Sequence, residues 1–243
     1  MAEQVRRRLN EGLVGPLERP VLLWLAAHLP RSVTPDQLTV CGLFGSCLVF
    51  LGYLLSWRNP GFLWLANFGL IVNWFGDSLD GTLARYRRAE RPRYGFFIDH
   101  TTDLFTQVLF ACGLGLSPYI RFEIACLALI TYLLFAVFTF IRMNVSGTLQ
   151  ISYNGFGPTE VRLGMILFNI WFFMSPPSPI LTMWVPLSVA DLAIMLASIS
   201  AFIFLIIAVR LEARRLALED APRLGNSREY RMQQGSVAPE GNI

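Results

Sequence analysis

Long apolar runs separated by short polar stretches dominate the chain. A membrane-crossing helix needs roughly 20 apolar residues. Residues 38–57 meet that need without a charge, and Arg58-Asn59-Pro60 closes the run. Residues 61–75 are apolar and then meet Gly76-Asp77, while residues 95–117 carry Asp99 and Asp103 before turning fully apolar. Residues 122–143 carry charge only near their edges, at Glu123 and Arg142. Residues 161–173 are short and stop near Ser175-Pro176-Pro177-Ser178-Pro179, which reads as an external loop, and residues 187–209 carry only Asp191. Residues 180–185 belong to that loop or prolong the span before it. The pattern predicts an all-α fold, an integral membrane bundle of six transmembrane helices.

The first 37 residues do not read as a signal peptide, because Leu9-Asn10-Glu11-Gly12 follows Arg6-Arg7-Arg8 where an apolar core would be needed. Residues 21–29 are apolar but too short to cross. With Pro16, Pro20 and Pro30 as punctuation, they predict one or two amphipathic helices lying along the membrane interface. The expected organisation is an interfacial segment at 1–37, a six-helix domain at 38–209 and a tail at 210–243 that is polar and partly disordered from about Ala221.

Composition sharpens this picture. Hydrophobic residues make up 54% and charged residues 15%, against roughly 25% charged in soluble domains. This excludes a disordered chain, a collagen-like fibre and a disulfide scaffold. The four cysteines, Cys41, Cys47, Cys112 and Cys126, lie in predicted spans without metal-ligand spacing. All 20 basic residues are Arg. With the N-terminus in the cytoplasm, every Arg except Arg58 and Arg121 falls on the cytoplasmic side. The positive-inside rule predicts that skew, with both termini cytoplasmic. The net charge of +3 and the absence of a basic face with interleaved aromatics argue against a nucleic-acid partner.

Four of the seven Asp residues, Asp77, Asp80, Asp99 and Asp103, sit in the apolar region. On a helix, Asp77, Asp80 and Ala84 share one face, and Gly95, Asp99 and Asp103 form a stripe on the next helix. The short polar connection predicts an antiparallel pair whose acidic stripes meet near the cytoplasmic surface. An Asp at mid-bilayer costs roughly 2.5–3.5 kcal/mol on insertion scales, and four like charges repel one another. A multivalent cation relieves both costs. Oxygen donors select Mg²⁺, Mn²⁺ or Ca²⁺, and a site that also takes phosphate favours Mg²⁺ or Mn²⁺. Gly81, Ala84 and Gly95 leave space for a flat group against the backbone, and Arg85 is placed to reach a phosphate. Helix capping or pairing with the loop arginines explains two such carboxylates, but not four in register with small residues.

These positions resemble the signature of the CDP-alcohol phosphotransferase family, Asp-x2-Asp-Gly-x2-Ala-Arg, eight or nine residues, then Gly-x3-Asp-x3-Asp. Asp77, Asp80, Gly81, Ala84, Arg85, Gly95, Asp99 and Asp103 meet every fixed position. The resemblance implies integral-membrane enzymes, usually homodimers, in which an alcohol attacks the β-phosphorus of a CDP-activated donor and CMP leaves. It implies Asp77, Asp80 and Asp99 as ligands of two divalent ions, Mg²⁺ or Mn²⁺. Asp103 would lie near the metals and act as general base. Gly81, Ala84, Arg85 and Gly95 would hold the CDP portion.

Shorter features bear on the substrates. Asp99-His100, Ser146-Gly147-Thr148-Leu149 and Thr159-Glu160 resemble choline and ethanolamine phosphotransferases. They lean towards CDP-choline or CDP-ethanolamine as donor and diacylglycerol as acceptor. The alternative is a CDP-diacylglycerol donor with a small polar alcohol. His100 reads as a hydrogen-bonded structural residue or as an aid to proton removal beside Asp99. Glu160 and Arg162 read as a helix-start pair or as substrate contacts, Glu160 suiting a cationic amine and Arg162 an anion. The loop 153–158 reads as a cover over the site or as a turn. Asp36 is expected first as the cap of the first span. A cation transporter using the carboxylates is the reading from another class.

Overall fold

The computed structural model describes residues 8–9, 14–146, 149–150, 157–175, 179–181 and 187–235, and in it the apolar runs are α-helices. They are α1 (Gly15–His28), α2 (Pro35–Leu55), α3 (Leu63–Tyr86), α4 (Pro92–Gly115), α5 (Phe122–Ser146), α6 (Pro158–Met174) and α7 (Val189–Gly235). Among the described residues, extended structure is confined to two short pairings. β1 (Arg8–Leu9) lies parallel to β2 (Leu149–Gln150), and β3 (Pro179–Leu181) lies antiparallel to β4 (Leu187–Ser188). Three segments are long and apolar enough to cross a membrane by length and composition: Pro35–Leu55, Phe122–Val145 and Val189–Asp220. The loop positions 153–156 and 176–178, and Gly147-Thr148, lie outside the described residues.

The chain divides into two units, residues 1–198 and 199–243. The second is the remainder of α7, which continues past Val209 to Gly235. Leu211, Glu212, Ala213 and Arg214 to Glu219 are good helix formers. The Arg215 guanidinium donates to Glu219 Oε1 at 2.8 Å, one turn on.

In the first unit α2 opens on a capping box. Thr34 Oγ1 accepts from the Gln37 backbone N–H at 3.3 Å, and Gln37 Oε1 accepts from the Thr34 N–H at 2.9 Å. The cap is therefore Thr34 and not Asp36, which sits inside the first turn and pairs with Arg91. Pro35 at the first helical position forces that register.

Small residues set the spacing of α2 and α3. Gly42, Gly45, Val49 and Gly52 on α2 face Ala66, Gly69, Asn73 and Gly76 on α3. A methyl group at Gly52 would lie 2.6 Å from the Ala66 nitrogen, and one at Gly69 would lie 2.7 Å from the Val49 nitrogen. Added at Gly76 it would overlap the Gly42 backbone outright. Glycine here allows backbone-to-backbone contact, as in close membrane helix pairs. Gly76 is the residue before Asp77, so this contact fixes where the acidic motif stands relative to α2.

Two apolar clusters complete the packing. Val49, Tyr53, Leu63, Leu70, Phe110 and Phe172 anchor the larger. Leu22 and Ala26 of α1 pack with Leu38, Leu79 and Leu83 in the smaller, beside the acidic end of α3. α1 runs through Pro20 as one helix, leaving Leu17, Val21, Leu23 and Trp24 exposed on its outer face. The Arg87 guanidinium donates to the carbonyls of Val33, Leu29 and Pro30, tying the α1–α2 connection to the end of α3. Arg88 then turns the chain towards α4 with a left-handed φ of 52°.

Candidate active site

α3 and α4 bring the acidic residues together. Asp77 lies on α3, and Asp99 and Asp103 lie one turn apart on α4. Each offers one carboxylate oxygen to a group whose members all lie within 4.8 Å of one another, at intermediate burial. This donor set is entirely oxygen and carries three negative charges, so it fits a hard divalent cation.

Asp80 stands outside this trio. Its Oδ2 accepts from Thr39 Oγ1 of α2 at 2.6 Å and its Oδ1 accepts from the Gly81 N–H. It remains within electrostatic reach of Asp77 and Asp99. Nothing in the spacing of Thr39 along the sequence announced Asp80 as its partner.

The small residues of the motif differ in the space beside them. A methyl group at Gly95 would meet no heavy atom within 4 Å. At Gly81 it would meet the Arg85 guanidinium, with Nη1 at 3.3 Å. Arg85 therefore folds back along α3 over Gly81, and its Nη2 donates to Thr82 Oγ1 at 3.2 Å. Ala84 lies on the same helix, half-buried.

His100 adjoins Asp99, with Nδ1 3.7 Å from Asp99 Oδ2. The same nitrogen donates to the Phe96 carbonyl at 2.9 Å, one turn back. The ring lies 4.1 Å from the Phe96 ring and 5.4 Å from the Phe140 ring, centroid to centroid. Its position is thus set by its own helix and by α5.

Glu160 and Arg162 go to different places. Glu160 Oε2 accepts from the Gly157 N–H at 2.8 Å, and Oε1 accepts from the Val14 N–H at 2.9 Å. It caps α6 and tethers the start of α1. Glu18 of α1 adds to that tether, accepting from Trp74 Nε1 at 2.6 Å and from Thr159 Oγ1 at 3.1 Å. Arg162 is buried, and its Nη2 donates to Asp77 Oδ2 at 2.6 Å. Tyr132 of α5 lies within electrostatic reach of Asp103, Asp77 and Arg162. The polar residues Asn73, Ser46 and Thr106 behind the site were visible as interruptions of apolar runs, a signal that polar side chains there meet across helices.

A family model described as CDP-alcohol phosphatidyltransferase matches residues 32–195. The chain belongs to that family. Over 107 residues it is 35% identical to a protein named CDP-diacylglycerol--serine O-phosphatidyltransferase from Encephalitozoon cuniculi (strain GB-M1), covering 39% of this chain and 27% of that protein. Over 95 residues it is 35% identical to a protein named Phosphatidylinositol phosphate synthase from Cutibacterium acnes (strain DSM 16379 / KPA171202), covering 37% of this chain and 41% of that protein. The chain thus spans less than half the length of either relative. Membership of the family and the apolar helices fit a membrane protein, and the eight motif positions all fall inside the matched residues.

Proposed function

We propose that this family member is an integral-membrane enzyme that transfers a phosphatidyl group from CDP-diacylglycerol to a small polar alcohol, with release of CMP. The observation that carries the reading is the convergence of Asp77, Asp99 and Asp103 within 4.8 Å in a chain of this family. The donor follows from the relatives. One name specifies CDP-diacylglycerol and serine, and the other specifies a phosphatidylinositol phosphate product.

This choice displaces the lean towards CDP-choline or CDP-ethanolamine with diacylglycerol. That lean rested on His100, Thr159-Glu160 and residues 146–149. His100 is held by Phe96, Thr159 and Glu160 serve the tether of α1, and Gly147-Thr148 lie outside the described residues.

In the proposed reaction the acceptor oxygen bonds to the phosphatidyl phosphorus, and the bond from that phosphorus to the CMP oxygen breaks. Asp77, Asp99 and Asp103 would hold divalent Mg²⁺ or Mn²⁺, two ions by family resemblance, with Asp80 as the fourth carboxylate. When bound, such a cation neutralises charge on the diphosphate and offsets the repulsion between the carboxylates. Asp103 takes the proton of the attacking hydroxyl. Arg85, folded over Gly81, would meet a phosphate oxygen, and the open flank of Gly95, with the small residues Gly81 and Ala84 opposite, would admit the CDP portion. His100, beside Asp99, would assist proton removal.

The membrane setting is part of the proposal. α2 to α7 make six crossings. At 1.5 Å per residue, the 24 residues of α3 or α4 reach about 36 Å, and the 17 of α6 about 26 Å. α1 lies along the interface with its exposed apolar face in lipid. The skew of the arginines supports a cytoplasmic side for both termini and the site. The catalytic bundle occupies 38–209, between the interfacial segment 1–37 and the tail 210–243, and a second copy completes a homodimer.

The test is CMP release by the purified chain with Mn²⁺ and a panel of donors and acceptors. CDP-diacylglycerol with serine or inositol phosphate should release CMP. Release confined to CDP-choline or CDP-ethanolamine with diacylglycerol would overturn the donor assignment.

A further inference from the structure

Behind the carboxylates lies a polar ladder that crosses four helices. Arg162 of α6 is 5% exposed. Its Nη2 donates to Asp77 Oδ2 at 2.6 Å and its Nε donates to Asn73 Oδ1 at 2.7 Å. Asp77 and Asn73 are one turn apart on α3, so a single guanidinium spans both. Asn73 Nδ2 in turn donates to the Gly42 carbonyl and to Ser46 Oγ of α2, both at 3.0 Å. Ser46 Oγ lies 2.9 Å from Thr106 Oγ1. Thr106 is on α4, three residues past Asp103 and on the same face.

The ladder thus starts at a carboxylate of α3 and ends one turn beyond a carboxylate of α4. We propose that Arg162 is a positioning residue, anchored through Asn73, Ser46 and Thr106, that holds the Asp77 carboxylate in the geometry the metal and the transfer reaction require. A buried Arg is retained where its charge is paired and its geometry fixed, and both conditions are met here. A soluble anionic acceptor needs an accessible cation, and the Arg162 side chain is 7% exposed. Partners that orient a ligating carboxylate from behind typically change metal affinity or activity 10–100-fold when removed.

This inference rests on the function proposed above, and one experiment separates the two. Mn²⁺ is titrated into the full chain in detergent and bound ion is counted by electron paramagnetic resonance. CMP release from CDP-diacylglycerol is measured on the same samples. Arg162→Gln should weaken Mn²⁺ binding by about tenfold or more and lower kcat, with the acceptor KM unchanged. Arg162→Lys should recover part of the affinity. Ser46→Ala, which touches neither Asp77 nor Arg162, should show a smaller loss in the same direction. It also keeps the test decisive if Arg162→Gln does not fold.

Unchanged Mn²⁺ affinity with a raised acceptor KM would make Arg162 a substrate contact and overturn the proposal. Tighter Mn²⁺ binding in Arg162→Gln would make it a competing cation and overturn the proposal as well. A wild-type chain that binds Mn²⁺ but releases no CMP would sink the function alone, because the affinity comparison still decides the role of Arg162.

Discussion

Asp103 and Glu160 show how differently two acidic residues are used within one bundle. Asp103 meets Asp77 across the α3–α4 pair and Asp99 one turn back on its own helix, whereas both oxygens of Glu160 accept backbone N–H groups at the junction of α1 and α6. Asp103→Asn keeps the shape and removes the proton acceptor. It should lower CMP release by at least about a hundredfold, in line with the usual contribution of general base catalysis, with the melting temperature in detergent little changed. Glu160→Ala should act on stability instead, costing about 1 kcal/mol as a lost cap, while the acceptor KM stays as in the wild type. A raised acceptor KM in that variant would return Glu160 to the substrate site. The motif carboxylates were legible because helical spacing alone puts Asp99 and Asp103 on one stripe. The Arg162–Asp77 pair was not, since its members lie 85 positions apart and meet only when α6 packs on α3. The cap of α2 was available in principle, as Thr34 and Gln37 have capping-box spacing, but Asp36 next to Pro35 drew the assignment away.

At the scale of elements, the α2–α3 contact does most to place the site. Gly76→Ala pushes a methyl into the Gly42 backbone and should cost about 1–3 kcal/mol as overpacking. Because Asp77 follows directly, Mn²⁺ affinity should fall with it. Gly164→Ala is the matched control on α6, where a methyl group meets nothing within 4 Å. It should raise stability by about 0.5–1 kcal/mol through helix propensity. Thermal unfolding of the two variants side by side reads the difference, and equal behaviour would remove the glycine contact as a determinant. Arg88, left-handed at φ 52°, predicts that Arg88→Gly raises the melting temperature, relieving about 1 kcal/mol of backbone strain. The existence and order of the helices were readable from apolar runs. The depth of the α2–α3 approach was not, because glycines in an apolar run look alike until the facing helix shows which of them it touches.

For the whole molecule, the proposed cytoplasmic side is the end where α1 packs on α3. α1 covers the acidic end of α3 with Leu22 and Ala26 and is held there by Glu18 and Glu160, while Arg87 secures the connection that follows. Asp77, Asp99 and Asp103 therefore stand half-buried beside an end of α3 that α1 covers. In the proposed function a bound divalent cation offsets the repulsion among these three carboxylates, which lie within 4.8 Å of one another. The most direct test of that claim is CMP release from CDP-diacylglycerol by the purified full chain, with serine or inositol phosphate as acceptor. It is measured with Mn²⁺ or Mg²⁺, again after EDTA, and again after the cation is restored. Release with the cation, none in EDTA and recovery on restoration is the predicted result. Release that survives EDTA, or cation flux in liposomes with no CMP from any CDP-linked donor, would contradict the account.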